Sequence, residues 1–227
     1  NVLGTRNLVE AALQSGVAHF VLVSTDKAVR PANVMGASKR VAEMIVQGAD
    51  KEGATRFMAV RFGNVIGSSG SVIPLFQQQI AQGGPVTVTH PDITRYFMSI
   101  PEAAQLILQA GAMGEGGEIF ILDMGEPVRI ADMARDLIRL NGLEPDRDIA
   151  LEFIGLRPGE KLYEELITVG EGIVPTGHSK VLVLRGTTVG REALNARVDS
   201  LGEIARGPDT GRLKVALKEL IPEYEPS

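Results

Sequence analysis

The sequence predicts an α/β fold, a parallel sheet covered by helices on both faces and followed by a smaller second lobe. Three observations predict it. Helical and extended patterns alternate through the first half of the 227 residues. The extended runs, such as Arg56-Phe57-Met58-Ala59-Val60-Arg61-Phe62, are too continuously apolar at their centres for a half-exposed sheet. Beyond Gly125 the alternation loosens, which marks the second lobe.

Each element follows from spacing. Val2, Leu8, Val9, Ala12 and Leu13 share one face of a helix over 2–15 that stops at Gly16. The apolar run His19-Phe20-Val21-Leu22-Val23 predicts a strand over 19–24. After Pro31, the residues Val34, Ser38, Val41, Ala42, Ile45, Val46 and Ala49 predict a helix over 34–52. A strand follows over 57–62, and the small-residue loop Gly67-Ser68-Ser69-Gly70-Ser71 reads as a ligand loop because it comes directly after that strand. A helix over 72–82 carries Val72, Ile73, Leu75, Phe76 and Ile80, followed by a strand over 86–89, an extended segment over 95–99, a helix over 101–113 and a strand over 118–122. The last part reads as a helix over 130–141, a strand over 150–154, a turn at Arg157-Pro158-Gly159, a helix over 160–167, a strand over 180–184 and helices over 191–206 and 209–220.

Composition narrows the functional classes. A chain with 44% apolar and 22% charged residues buries a real core. Its net charge of -5 argues against general polyanion binding, and no nucleic-acid partner is expected. With no cysteine and three scattered histidines, His19, His90 and His178, no metal site is expected. No apolar run approaches the ~18 residues of a membrane span, so no membrane contact by this chain is expected. The 4% aromatic content and absence of tryptophan speak against a platform for carbohydrate polymers. The chain opens at Asn1 already inside a helical pattern, which reads as a piece of something longer.

The chemistry concentrates at the end of the first strand. Ser24-Thr25-Asp26-Lys27 supplies two hydroxyls, a carboxylate and an amine where ligands bind in open α/β sheets. Met35 and Lys39 lie one turn apart on the following helix, on a stripe shared with Glu43, and can face the same cavity.

Together with Asn33-Val34-Met35-Gly36-Ala37-Ser38-Lys39-Arg40, Arg61-Phe62-Gly63-Asn64-Val65, Thr94-Arg95-Tyr96-Phe97-Met98 and Arg157-Pro158-Gly159-Glu160-Lys161, these residues resemble the extended short-chain dehydrogenase/reductases. Within them the chain is similar to the polysaccharide-biosynthesis (CapD-like) nucleotide-sugar 4,6-dehydratases. The motifs occur in family order along essentially the whole chain. The superfamily's usual tyrosine position holds Met35, which cannot take a proton. On this resemblance, residues 1–70 and 99–124 are the later part of a Rossmann-type NAD-binding domain, with the glycine-rich first half upstream, and 71–98 and 125–227 form a nucleotide-sugar-binding lobe.

The resemblance implies NAD-dependent dehydration of a UDP-N-acetylhexosamine, UDP-N-acetylglucosamine foremost, to a 4-keto-6-deoxy sugar. Lys27 is then the base at carbon 5, neutral when it acts, and Asp26 the acid for the carbon 6 hydroxyl. Asp26 or a water serves the carbon 4 proton, with Thr25 or Ser24 bonded to that oxygen, and Lys39 holds the nicotinamide ribose. Asn1, Ser24, Phe62 and Gly63 are expected near the cofactor, Asn1 being equally readable as a helix cap. Asn64, Val72, Gln79, Arg95, Arg157 and Glu160 are expected at the UDP-sugar, with Arg95 as the phosphate fork and Arg157 and Glu160 clamping ribose and uracil. A homo-oligomer is implied, in the cytoplasm or on the cytoplasmic face of a bacterial inner membrane, and the 227 residues alone are expected to be inactive and to bind NAD weakly. A UDP-sugar 4-epimerase shares fold and substrate but needs no elimination pair. A non-catalytic nucleotide-sugar-binding fragment is the reading that Met35 and the missing cofactor half favour.

Overall fold

The computed structural model describes residues 1–50, 53–68, 70–167, 172–184 and 190–226. In chain order the elements are α1 (Val2–Ser15), β1 (His19–Val23), α2 (Val34–Ala49), β2 (Arg56–Arg61), β3 (Asn64–Val65), α3 (Val72–Ala81), β4 (Val86–Val88), β5 (Thr94–Arg95), β6 (Phe97–Met98), α4 (Ile100–Met113), β7 (Ile119–Leu122), β8 (Val128–Arg129), α5 (Ile130–Leu140), β9 (Leu151–Phe153), β10 (Ile173–Pro175), β11 (Val181–Leu184), α6 (Arg191–Arg206) and α7 (Thr210–Leu220), with a 3₁₀ turn over Asp26–Ala28. The fold is α/β, as the sequence predicts. The end of the helix expected over 34–52 and Ser69 of the expected ligand loop lie outside the described residues.

The chain divides into two compact units. The first contains Asn1–Phe62, Ala104–Asp123 and Glu165–Ser227. Its five-stranded sheet has the order β1-β2-β7-β11-β10. β1, β2 and β7 are parallel, with Val23 opposite Val60 and Ala59 opposite Ile119. β11 then runs antiparallel to β7, and β10 antiparallel to β11. The expected parallel sheet is therefore parallel over three strands and antiparallel over the last two.

Two local signals place the helices beside this sheet. Gly16 ends α1 in the left-handed conformation (φ 62°), its N–H returning to the carbonyls of Ala12 and Leu13. Asn33 starts α2, its side chain accepting from the Gly36 N–H at 2.9 Å. Val9, Ala12, Ala37, Val41, Ile45, Val46, Ala49 and Phe57 then form an apolar cluster completed by Leu194, Val198 and Leu201 of α6, Leu217 and Leu220 of α7, and Ile221 and Tyr224. Arg6–Asp199 (2.6 Å) and Arg191–Glu10 (2.5 Å) pair α1 with α6 at the rim.

This packing corrects the domain division read from sequence. Residues 165–227, expected in the lobe, belong to the first unit, because the apolar faces of α6 and α7 match those of α1 and α2. The boundaries expected after 70, 98 and 124 fall after 62, 103 and 123.

The Tyr224 hydroxyl is fully buried in the first unit with no hydrogen-bond partner among the described residues. Tyr224→Phe removes that uncompensated group and is expected to leave stability unchanged or raise it by about 1 kcal/mol, measured by urea unfolding. A clear loss would show that the hydroxyl is satisfied.

The second unit contains Gly63–Ala103 and Met124–Glu164. It holds three two-stranded ribbons: β3-β6 and β4-β9, both parallel, and β5-β8, antiparallel. Phe76 and Ile80 of α3, Val86 and Val88 of β4, and Ile130, Ala134 and Ile138 of α5 form its core with Ile93 and Ile149. The helix expected over 160–167 is absent. The Leu162 carbonyl is taken by the Thr94 N–H (3.2 Å) and by Arg95 Nη1 (3.3 Å), and the Lys161 carbonyl by Arg95 Nη2 (2.9 Å). Carbonyls held across the chain in this way cannot build an internal helical ladder.

Candidate active site

In the first unit the polar residues collect where β1 ends. The Ser24 N–H donates to the Val60 carbonyl (2.8 Å) and the Asp26 N–H to the Phe62 carbonyl (3.0 Å), so backbone bonds to the end of β2 fix residues 24–26. Thr25 is extended and caps the 3₁₀ turn. That turn brings three side chains together: Thr25 Oγ1 donates to Asp26 Oδ1 at 2.8 Å and Lys27 Nζ donates to the same oxygen at 3.0 Å. Asp26 is fully buried, and its Oδ2 has no hydrogen-bond partner among the described residues. A buried carboxylate oxygen left without a donor is costly in a folded core and calls for an explanation, a catalytic role among them.

Beneath this turn lies a buried ionic network. Glu43 of α2, fully buried, accepts from Ser24 Oγ (2.6 Å), Arg61 Nε (2.8 Å), Arg61 Nη2 (2.7 Å) and Arg40 Nη1 (3.2 Å). Burial pushes the Glu43 carboxyl up, but the Arg61 charge and hydrogen bonds, the Arg40 charge and the Ser24 hydroxyl outweigh it and hold the group below its ordinary range. Arg40 also reaches Glu223 at 3.3 Å. The sequence places Glu43 on the Met35–Lys39 stripe without assigning it a role. The available signal was a pair of opposite charges, Glu43 among Val41, Ala42 and Ile45 and Arg61 between Val60 and Phe62, each inside an otherwise apolar run.

Ser24 donates its hydroxyl proton inward to Glu43, so it has none to offer a ligand oxygen. Asn1 occupies the cap position of α1 without capping it, and its Nδ2 donates to Ser38 Oγ (2.8 Å). Phe62 is buried and contributes the carbonyl that holds Asp26. Met35 is exposed, and its carbonyl accepts from Ser38 Oγ at 2.7 Å. Lys39 Nζ donates one proton to the Val23 carbonyl at 3.0 Å. Two more protons of that ammonium can point elsewhere.

The expected substrate residues fall in the second unit, as does Gly63. Arg95, only 7% exposed, donates to the carbonyls of Thr94 (2.7 Å), Leu162 and Lys161 and to Glu160 Oε1 (3.4 Å). Glu160 Oε1 also accepts from Thr89 Oγ1 (3.2 Å), and its Oε2 closes the 157–160 turn by accepting from the Arg157 N–H (3.1 Å). Arg95 and Glu160 therefore buttress that turn, and the exposed Arg157 side chain stands at its start. Gln79 commits both ends of its amide to Thr87, at 2.8 and 3.1 Å, which ties α3 to β4. Val72 packs against the core of the unit, and the Asn64 N–H donates to the Tyr96 carbonyl at 2.9 Å. His90 and His178 serve as turn acceptors, through Nδ1, for the N–H groups of Asp92 and Lys180.

Residues 1–186 match the family described as polysaccharide biosynthesis protein. Capsular polysaccharide biosynthesis protein CapD of Staphylococcus aureus is 62% identical over 172 residues, covering 75% of this chain and 28% of that protein. A UDP-glucose 4-epimerase of Rickettsia canadensis is 41% identical over 171 residues, covering 74% of this chain and 49% of that protein. The chain thus spans a quarter to a half of the length of these two relatives. Among solved structures, Pen of Bacillus thuringiensis superposes with a TM-score of 0.75 at 36% identity, covering 84% of this chain and 60% of that one. Structures of dTDP-glucose 4,6-dehydratases and UDP-sugar 4-epimerases share the fold at TM-scores of 0.60 to 0.65. The chain belongs to the polysaccharide biosynthesis protein family, as a CapD-like member of the extended short-chain dehydrogenase/reductases.

Proposed function

We propose that this chain carries the elimination machinery of an NAD-dependent 4,6-dehydratase acting on a UDP-N-acetylhexosamine, UDP-N-acetylglucosamine foremost. The observation that carries the reading is the Thr25–Asp26–Lys27 contact set, with a fully buried carboxylate whose Oδ2 has no hydrogen-bond partner among the described residues. An epimerase has no use for an acid and a base held together.

The residues present fit the nicotinamide end of the cofactor, where Lys39 keeps two ammonium protons for ribose hydroxyls. Bound NAD supplies temporary storage of a hydride, so the net reaction is loss of water. The protein's part is proton traffic. With Ser24 committed to Glu43, Thr25 is the neighbouring hydroxyl for the oxygen at carbon 4. It accepts that proton while passing its own to Asp26, 2.8 Å away, which does the work that Met35 cannot. The resulting ketone acidifies the proton on carbon 5, and the Lys27 amine removes it. Asp26 then gives its proton to the departing carbon 6 hydroxyl, which leaves as water. Lys27 returns its proton to carbon 5, and both groups end as they began.

The test is Lys27→Ala in the full-length protein, followed in deuterated water. The expected result is a fall in dehydration of about 10³-fold together with loss of solvent deuterium at carbon 5. Undiminished dehydration and exchange would remove Lys27 from the base role. The relative named as a 4-epimerase supports a second reading, and product mass separates the two, since epimerisation conserves mass and dehydration loses one water.

A further inference from the structure

Gly36, in the first turn of α2, is buried between Met35 and Ala37. A Cβ at this position would lie 2.2 Å from the carbonyl oxygen of Lys27, 3.1 Å from its carbonyl carbon and 3.3 Å from Pro31 Cβ. The opposing atoms are mainly backbone, so no rotamer change relieves the overlap. Glycine inside a helix also costs about 1 kcal/mol relative to alanine, a cost that helix formation alone does not explain. We propose that Gly36 is a positioning residue for Lys27. Its missing side chain lets the first turn of α2 rest on the Lys27 carbonyl. Two distances are set by that one contact: from the Lys27 amine to Asp26, and from the 3₁₀ turn to Lys39 one turn further along α2. Asn33 helps hold the contact through its bond to the Gly36 N–H.

A methyl group here must push the two backbones apart by about 1 Å, and a shift of that size in a catalytic geometry costs roughly 10²-fold in rate. The inference rests on the dehydratase reading for its kinetic effect, so the test pairs turnover with a readout independent of activity. In the full-length protein, Gly36→Ala is expected to lower kcat about 100-fold, to leave KM for the UDP-sugar within about threefold, and to reduce deuterium entry at carbon 5 in step with kcat. Competitive acetylation read by mass spectrometry is expected to show Lys27 at least about threefold more reactive once its amine is displaced from the Asp26 carboxylate. Unchanged Lys27 reactivity, or a kcat within about threefold of the parent, overturns the proposal. If Gly36→Ala does not fold, Asn33→Ala decides: a higher Lys27 reactivity at unchanged KM supports it and an unchanged reactivity overturns it. If the parent makes no dehydrated product, the dehydratase reading fails, and the acetylation result still decides on Gly36.

Discussion

Asp26→Asn in the full-length protein is expected to cut dehydration by about 10³-fold while leaving the chain folded. The amide is nearly isosteric and still offers an oxygen to Thr25 Oγ1 and Lys27 Nζ, so the packing around the 3₁₀ turn is kept. It cannot take up a proton from Thr25 and deliver it to a leaving hydroxyl, so both proton transfers assigned to this position stop together. Some stability should be lost, because the charge paired with Lys27 is removed while the oxygen facing both donors is kept. The measurement combines product detection by mass spectrometry with a thermal melt. A variant that keeps full turnover would take Asp26 out of the mechanism. One that melts far below the parent would show the carboxylate to be chiefly structural.

The second large effect is expected at Glu43, on stability. Glu43→Ala leaves Arg61, 1% exposed, without the carboxylate that binds it twice, and breaking a buried ion pair from one side costs about 3–5 kcal/mol. The pH dependence follows from the sign of the shift. The Glu43 carboxyl is held below its ordinary value in the folded chain, so the unfolded chain binds the proton more readily. The stabilisation is therefore complete above the unfolded value, about 4.3, and is lost as pH falls through the lower folded value. Urea unfolding of the chain between about pH 7 and pH 3 is expected to show this acid loss in the parent and a flatter profile in Glu43→Gln. An unchanged profile would locate the acid-sensitive group elsewhere.

What sequence made legible was local. Seven helices and the apolar strands follow from side-chain period, because period is fixed by backbone geometry and needs no partner. The co-location of Thr25, Asp26, Lys27 and Lys39 was legible for the same reason, a strand end followed by one helix face. Partnership was not. Nothing in the spacing says that Ser24 turns towards Glu43 and not outwards, since that choice depends on Arg61, 37 residues further along the sequence. The 157–160 turn shows the same limit: its helix-like continuation fails because Thr94 and Arg95 claim its carbonyls, and the residues expected to face a nucleotide are occupied with one another. The two-residue strands β3 and β8 are too short to carry any period.

The α6–α7 pair makes a different point about how such a chain can diverge. The recognisable family sequence ends at residue 186, yet seven of the fifteen buried members of the apolar cluster, from Leu194 to Tyr224, come after it. A buried polar cluster such as Ser24, Glu43 and Arg61 demands particular atoms at particular places. A helix pair that closes a core demands only volume and apolarity, which many sequences supply equally well. The tail can therefore vary more freely in sequence while the helix that carries Gly36, Lys39 and Glu43 goes on leaning against it.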